Sequence, residues 1–405
     1  MRILIISHAA DRTGAPISAL QMAAALKAQG HEIRFILRRG GELADDYRKL
    51  AETFVWREDS EFGLLDALDT VARYDPVMAV KCLRNPDRPY CMSRPGLQRA
   101  ESLVAGLRAW VPDFIYVNTT HCGDVLDTID LAAPIITHVR EMTPTISALD
   151  KRRRACALNK TDLFLCASTS VRDNLANDFA IPASRMRVEP PAIELAPAQA
   201  VVANSSRDAV EKHLGLAPQD RLILGAGSLI PRKGPDLFVD AAIIALESYC
   251  DAGRLVFAWL GEGPMLAELD QRIQATGHQA SILLLGLVSD PFPYYQRASA
   301  LLVTSREDPY PRVAIEAAAF GVPVAAYTHS GGAADLVRNY DAGQLVEGFS
   351  AAAMASSLPK LVTTRPAPDS GLAARVRAGH TPAASAERLI SDAEALARRA
   401  GTVKR

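Results

Sequence analysis

The chain has 405 residues, 49% of them hydrophobic and 22% charged, with a formal net charge of −1. That length predicts two domains, and the balance is that of a soluble globular protein. Near neutrality excludes the broad basic surface on which general nucleic-acid binding depends. No apolar run approaches the ~18 residues needed to span a bilayer, so any membrane contact is expected to be peripheral. The opening "MRILIIS" is too short for the apolar stretch of a signal peptide. The six cysteines, Cys82, Cys91, Cys122, Cys156, Cys166 and Cys250, form no C-x-x-C pair. Reduced thiols and a cytoplasmic protein, peripheral at most to the inner face of the membrane, are the expectation.

In chain order, short Val-, Ile- and Leu-rich runs alternate with helical patterns. "RILIIS" (2–7) reads as a strand, and "APISALQMAAALKAQG" (15–30) follows with Ile17, Leu20 and Ala24 at helical spacing. Gly30 supplies the stop. "IRFIL" (33–37), "FIYVN" (114–118), "PIITHV" (134–139) and "LFLCA" (163–167) continue the strand series. Residues 55–110 show no recognisable pattern. "KRRRACALNK" (151–160) leaves two readings open, a solvated helix face and a patch that docks on anionic lipid or an anionic acceptor. The proline-rich stretch 190–206 reads as a linker. Strands then restart at "LILGAG" (222–227), "LVFAWLG" (255–261), "ILLLG" (282–286), "ALLVTS" (300–305), "VPVAAY" (322–327) and "GQLV" (343–346), with a last helix over 385–400. Continuous apolar strands with helical crossovers predict two parallel sheets, each covered on both faces. Such sheets bind ligands in loops at the carboxyl ends of their strands.

Four loops meet that condition. In "SHAADRTGAPIS" (7–18), Gly14 lets backbone N–H groups approach an anion ahead of a helix, although the dinucleotide fingerprint G-x-G-x-x-G is absent. In "GAGSLIPRKGPDLFVDAA" (225–242), Arg232 and Lys233 precede a helix start, a seat for a diphosphate; the plainer reading is an exposed turn with Asp236 as cap. In "THVRE" (137–141), alternation places His138 and Arg140 on one side of a strand end. His138 is either a satisfied core histidine or a site residue, and Arg140 and Glu141 either pair with each other or face a ligand. Asn118 and Thr119 end the preceding strand at the same edge. In "TSREDPYPRVAIEAAAFGVPVAA" (304–326), Glu316 lies inside an alanine-rich helix with Arg312 four residues before it, so an i,i+4 ion pair is the bland alternative. Asp308 is open to a turn or capping role.

Together these loops resemble the retaining nucleotide-sugar glycosyltransferases of family 4. The resemblance runs from "LILGAGSLIPRKGPDLFVDA" through "FAWLGEGPMLAEL" and "ILLLGLVSD" to "LLVTSREDPYPRVAIEAAAFGVPVAAYTHSGGAADLV". It implies the GT-B fold, two tandem Rossmann-like doubly wound domains facing a central cleft. The implied boundaries are an acceptor domain over 1–193, a linker over 194–208, a donor domain over 209–383 and a C-terminal helix over 384–405, which is expected to pack back on the first domain. The family places two glutamates after a strand with seven residues between them. Here the spacing counts back from Glu316, assigned to ribose, to Asp308, a shorter acid assigned to the donor sugar. Arg232 and Lys233 match the basic pair on the diphosphate, and Gly14 with Ala15 match the loop after the first strand. The family's donor-sugar histidine falls close to Arg140, with His138 two residues before it; either is a candidate catalytic group. Gly331 and Gly332 match a glycine loop at a later strand end. Asn118, Glu141, Pro309 and Tyr310 complete the expected substrate contacts.

The implied reaction moves a sugar from a nucleotide donor, a UDP- or GDP-sugar, to a hydroxyl of a saccharide or lipid-linked acceptor. Surface polysaccharide or glycolipid assembly is the implied setting. The cationic groups would stabilise the departing diphosphate. No Asp-x-Asp and no ligand-spaced His/Cys cluster occurs, so neither metal nor other cofactor is expected. Two alternatives stay open, a GT-B epimerase or phosphorylase-like enzyme and a non-catalytic nucleotide-sugar binding protein.

Overall fold

In the computed structural model, residues 1–56, 94–194, 204–248, 254–362 and 370–403 are described. Chain contacts divide the protein into two units. The first holds residues 1–167, 171–192 and 382–405, and the second holds 168–170 and 193–381. The C-terminal helix Pro382–Val403 thus belongs to the first unit. Most of the irregular stretch 55–110, and part of the linker, lie outside the described residues.

The first unit is built on a parallel sheet. Its strands are β1 (Arg2–Ser7), β2 (Glu32–Leu37), β3 (Glu52–Val55), β4 (Phe114–Val117), β5 (Ile135–Val139), β6 (Leu163–Cys166) and β7 (Met186–Val188), in the spatial order β3-β2-β1-β4-β5-β6-β7. Alternation along the strands sends side chains to two separate cores. Ile3, Ile5, Phe35 and Tyr116 pack with Met22 and Leu26 of the helix Gly14–Ala28 and with Ala386, Leu389 and Ala393 of the last helix. Leu4, Ile6, Ile36 and Val117 pack on the other face with Leu107, Trp110, Val125 and Leu126. Both faces are covered, which is why the strands are apolar throughout.

The second unit repeats the plan with β8 (Arg221–Ala226), β9 (Leu255–Leu260), β10 (Ile282–Leu284), β11 (Ala300–Val303), β12 (Val324–Tyr327) and β13 (Gly343–Val346), ordered β10-β9-β8-β11-β12-β13. Phe238, Phe257 and Trp259 form an edge-on aromatic stack in its core. Each strand order reverses direction at one place, between β1 and β4 in the first unit and between β8 and β11 in the second. At such a reversal the crossover helices diverge to opposite faces and leave the loops above the strand ends open to a ligand. Two short edge strands, β3 and β7, were absent from the expected series. Each has only three or four residues and lacks a long apolar run.

Candidate functional site

In the second unit, the loops after β8 and β11 flank the reversal and are tied together. The short turn Pro231–Lys233 follows β8, and Gly234 leaves it at φ +64 to start the helix Pro235–Ser248. A Cβ on Gly234 would lie 2.1 Å from the carbonyl oxygen of Thr304, so glycine is required for the two loops to touch. The Arg232 guanidinium donates to the Glu307 carbonyl at 2.8 Å, and the Arg306 backbone N–H donates to the Arg232 carbonyl at 2.9 Å. The Lys233 ammonium is ion-paired with the Asp308 carboxylate, which is only 6% exposed.

Asp308 is pinned on its other side by the loop after β12. Its N–H donates to the Ser330 carbonyl at 2.7 Å, and its own carbonyl accepts from Gly332 N–H at 3.1 Å. Gly331 adopts φ +115, and a Cβ there would lie 1.9 Å from the Asp308 carbonyl oxygen. Asp308 is therefore neither a cap nor a simple turn residue. Three neighbouring strand ends hold it, and a lysine neutralises it.

Glu316 sits in the helix Arg312–Ala319 among Ala314, Ala317, Ala318 and Ala319, all buried. The i,i+4 partner is present, with Arg312 3.7 Å from its carboxylate. The closer partner is Tyr295, whose hydroxyl donates to it at 3.1 Å. Burial raises the Glu316 pKa above the ordinary carboxylate value, against the lowering pull of Arg312 and the tyrosine hydrogen bond. Tyr310, expected as a substrate contact, is instead 6% exposed and packed on Gly332, whose Cβ position would fall 2.4 Å from its ring.

In the first unit, the loops after β1 and β4 flank the other reversal. The helix begins at Gly14, and the Asn118 side-chain amide donates to the Ala15 carbonyl at 2.7 Å. The fully buried Asn118 keeps its side-chain oxygen unpartnered among the described residues. Glu141 does not pair with the Arg140 guanidinium. It accepts from the Arg140 and Thr120 N–H groups and from the Thr120 hydroxyl, and meets His121 at 3.4 Å. Burial opposes its ionisation, but His121 and these donors outweigh that and lower its pKa.

His138 resolves to the core reading. It is 1% exposed, Arg140 donates to its Nδ1 at 3.1 Å, and its Nε2 is 3.0 Å from the Glu189 carbonyl. A guanidinium only donates, so Nδ1 is the acceptor and Nε2–H the donor, which makes the ring neutral. Burial and Arg140 hold its pKa well below the usual histidine value. In the basic run 151–160, which forms the helix Lys151–Asn159, the arginines have partners within the first unit. Arg152 pairs with Asp127, Arg153 with Asp124 and Asp150, and Arg154 with the Ser147 carbonyl.

Sequence reading passed over Tyr295, Arg306 and His121. Each acts through a partner remote in sequence or carries no spacing signal. Among the described residues, no group of three or more His, Cys, Asp or Glu could hold a metal ion, and no helix is long and apolar enough to cross a membrane.

Two parallel doubly wound sheets in tandem, with polar loops at both strand-order reversals, define a GT-B protein. The model for "Glycosyltransferase Family 4" matches residues 12–197, and that for "Glycosyl transferases group 1" matches residues 206–373, between them most of the chain. The chain belongs to this glycosyltransferase family. Among curated relatives, a D-inositol 3-phosphate glycosyltransferase of Acidothermus cellulolyticus is 29% identical over 197 residues, 46% of this chain and 43% of that one. A lipopolysaccharide core biosynthesis mannosyltransferase of Rhizobium meliloti is 31% identical over 161 residues, 38% of this chain and 45% of that one. The chain thus spans less than half the length of these relatives. The crystal structure of Anabaena HepE in complex with UDP superposes with a TM-score of 0.72 at 16% identity, covering 98% of this chain and 100% of that one.

Proposed function

We propose that the protein is a retaining glycosyltransferase that moves a sugar from a nucleoside-diphosphate sugar to an acceptor hydroxyl. The observation that carries this is the convergence of Arg232, Lys233 and Asp308 on the strand-order reversal of the second unit. Breaking the bond between the anomeric carbon and phosphate leaves a cationic sugar and an anionic diphosphate. Arg232 and Lys233 stabilise that anion, the ammonium exchanging part of its pairing with Asp308 for phosphate oxygens. Asp308, released on that side, accepts from a donor-sugar hydroxyl, and Glu316 accepts from the ribose hydroxyls. Within the first unit, backbone N–H groups at Gly14 are a candidate anion contact in their own right, with Asn118 at the same strand-order reversal. His138, buried and neutral, supports Arg140 rather than the sugar.

Uridine is the favoured base, because the similar HepE was crystallised with UDP and with UDP-glucose. Surface polysaccharide or glycolipid assembly is the favoured setting, by similarity to the lipopolysaccharide mannosyltransferase. The test is calorimetric titration with UDP, GDP and ADP, followed by transfer and hydrolysis assays on the matching sugar nucleotides. Lys233→Ala and Glu316→Ala are each expected to lower kcat/KM by about 100-fold with the fold retained. Wild-type turnover in both variants would reject the site. Release of sugar with inverted configuration would reject retention alone.

A further inference from the structure

We propose that Arg306 and Asp236 form a positioning pair that holds Lys233 and Asp308 in register for the diphosphate, without either touching it. The inference rests on the donor-site reading above. The loops after β8 and β11 belong to neighbouring strands, but strand pairing stops at Leu301 and Leu224 and leaves the loops to be joined by other means. Arg306 makes the join. One terminal nitrogen donates to Asp236 Oδ1 and to the Pro231 carbonyl, both at 2.8 Å, and the other donates to Asp236 Oδ2 at 2.5 Å. A planar guanidinium gripping both carboxylate oxygens fixes distance and angle together, which an ammonium cannot do.

The geometry brackets the site. Pro231 and Asp236 lie on either side of Arg232 and Lys233, and Arg306 lies two residues before Asp308. The Arg306 N–H also donates to the Arg232 carbonyl, so the two loops run side by side between the clamp and the Lys233–Asp308 contact. Arg306 is 39% and Asp236 21% exposed in their side chains, so the pair carries little burial energy of its own. Its consequence is positional. Releasing it leaves a three-residue basic turn tied to the acid loop by backbone hydrogen bonds, the Thr304 hydroxyl on the Lys233 carbonyl, the Arg232 contact and the Lys233–Asp308 pair.

The test compares UDP with UMP, the two differing by the phosphate that Lys233 meets. Titrations use the full chain and the variants Arg306→Ala, Arg306→Lys, Asp236→Asn and Arg306→Ala with Asp236→Asn. Arg306→Ala is expected to weaken UDP about ten-fold while UMP changes less than two-fold, and Arg306→Lys to recover little of the loss. The double variant is expected to be no weaker than Arg306→Ala alone, since that substitution already removes the whole contact with Asp236. Three results overturn the proposal: equal losses for UDP and UMP, additive losses in the double variant, or wild-type UDP affinity in Arg306→Ala. A wild-type chain that binds no nucleotide overturns the donor-site reading and the pair with it. Loss of UDP in Lys233→Ala alongside unchanged Arg306→Ala overturns the pair alone.

Discussion

Glu316 shows how a single residue carries opposed demands. Its carboxylate is buried among alanines with one tyrosine hydroxyl and one distant guanidinium, and burial raises its pKa. A raised carboxylate pKa means the folded state holds the proton more tightly than the unfolded chain. Stability from this group is therefore greatest at or below the unfolded value and is lost as pH rises through the folded one. Ionising Glu316 inside the fold therefore costs stability, a cost that the proposed ribose contact would offset. Glu316→Gln, which still accepts from Tyr295, is expected to gain about 1 kcal/mol of stability at pH 7 while losing nucleotide affinity. Thermal unfolding across pH 4 to 8 checks this. The gain should shrink toward the acid end, and a variant less stable than wild type at pH 7 contradicts the account.

At the scale of elements, the last helix joins the first unit through charge as well as packing. Glu189, just beyond β7 and 1% exposed, accepts from Arg388 at 2.7 and 3.0 Å, from Arg187 at 2.5 Å and from the Ser385 hydroxyl. Arg187 also reaches Asp392 at 2.6 Å. Burial opposes ionisation of Glu189, but these donors outweigh it and lower its pKa. A lowered carboxylate pKa contributes stability that is present above the unfolded value and lost as pH falls through the folded one. Glu189→Gln is expected to cost about 2 kcal/mol at pH 7. That is less than for a fully buried pair, because both arginines reach solvent. Denaturant unfolding should show the gap closing below the ordinary glutamate pKa. A gap that persists unchanged at pH 3 would rule out the charge explanation.

For the whole molecule, the two units carry separate cores and are expected to unfold in separate calorimetric transitions. A nucleotide bound mainly by the second unit should raise that unit's transition. At 100 times Kd the stabilisation is about 2.7 kcal/mol. Lys233→Ala should abolish the shift, which also identifies the transition. A shift confined to the transition lowered by Glu189→Gln would place the nucleotide on the first unit and refute the donor assignment.

Much of this was legible in residue order. Alternating apolar runs announced tandem parallel sheets, because strands buried on both faces must be apolar throughout. The short edge strands β3 and β7 escaped, since three or four residues carry too little pattern. The resemblance in the loops, above all Arg232-Lys233 and the spacing from Asp308 to Glu316, announced the family. What residue order left open were choices between two partners of the same chemistry. His138 was equally a core or a site histidine until the Glu189 carbonyl and Arg140 were seen to occupy both nitrogens. Asp236 was a cap until Arg306, 70 residues on, was found gripping it. Asp308 was a turn residue until strand order brought Lys233 and Gly331 to it. Local pattern determines which segments are strands and where loops open. Which loops meet depends on the order in which strands pair, and that is decided only when the chain closes on itself.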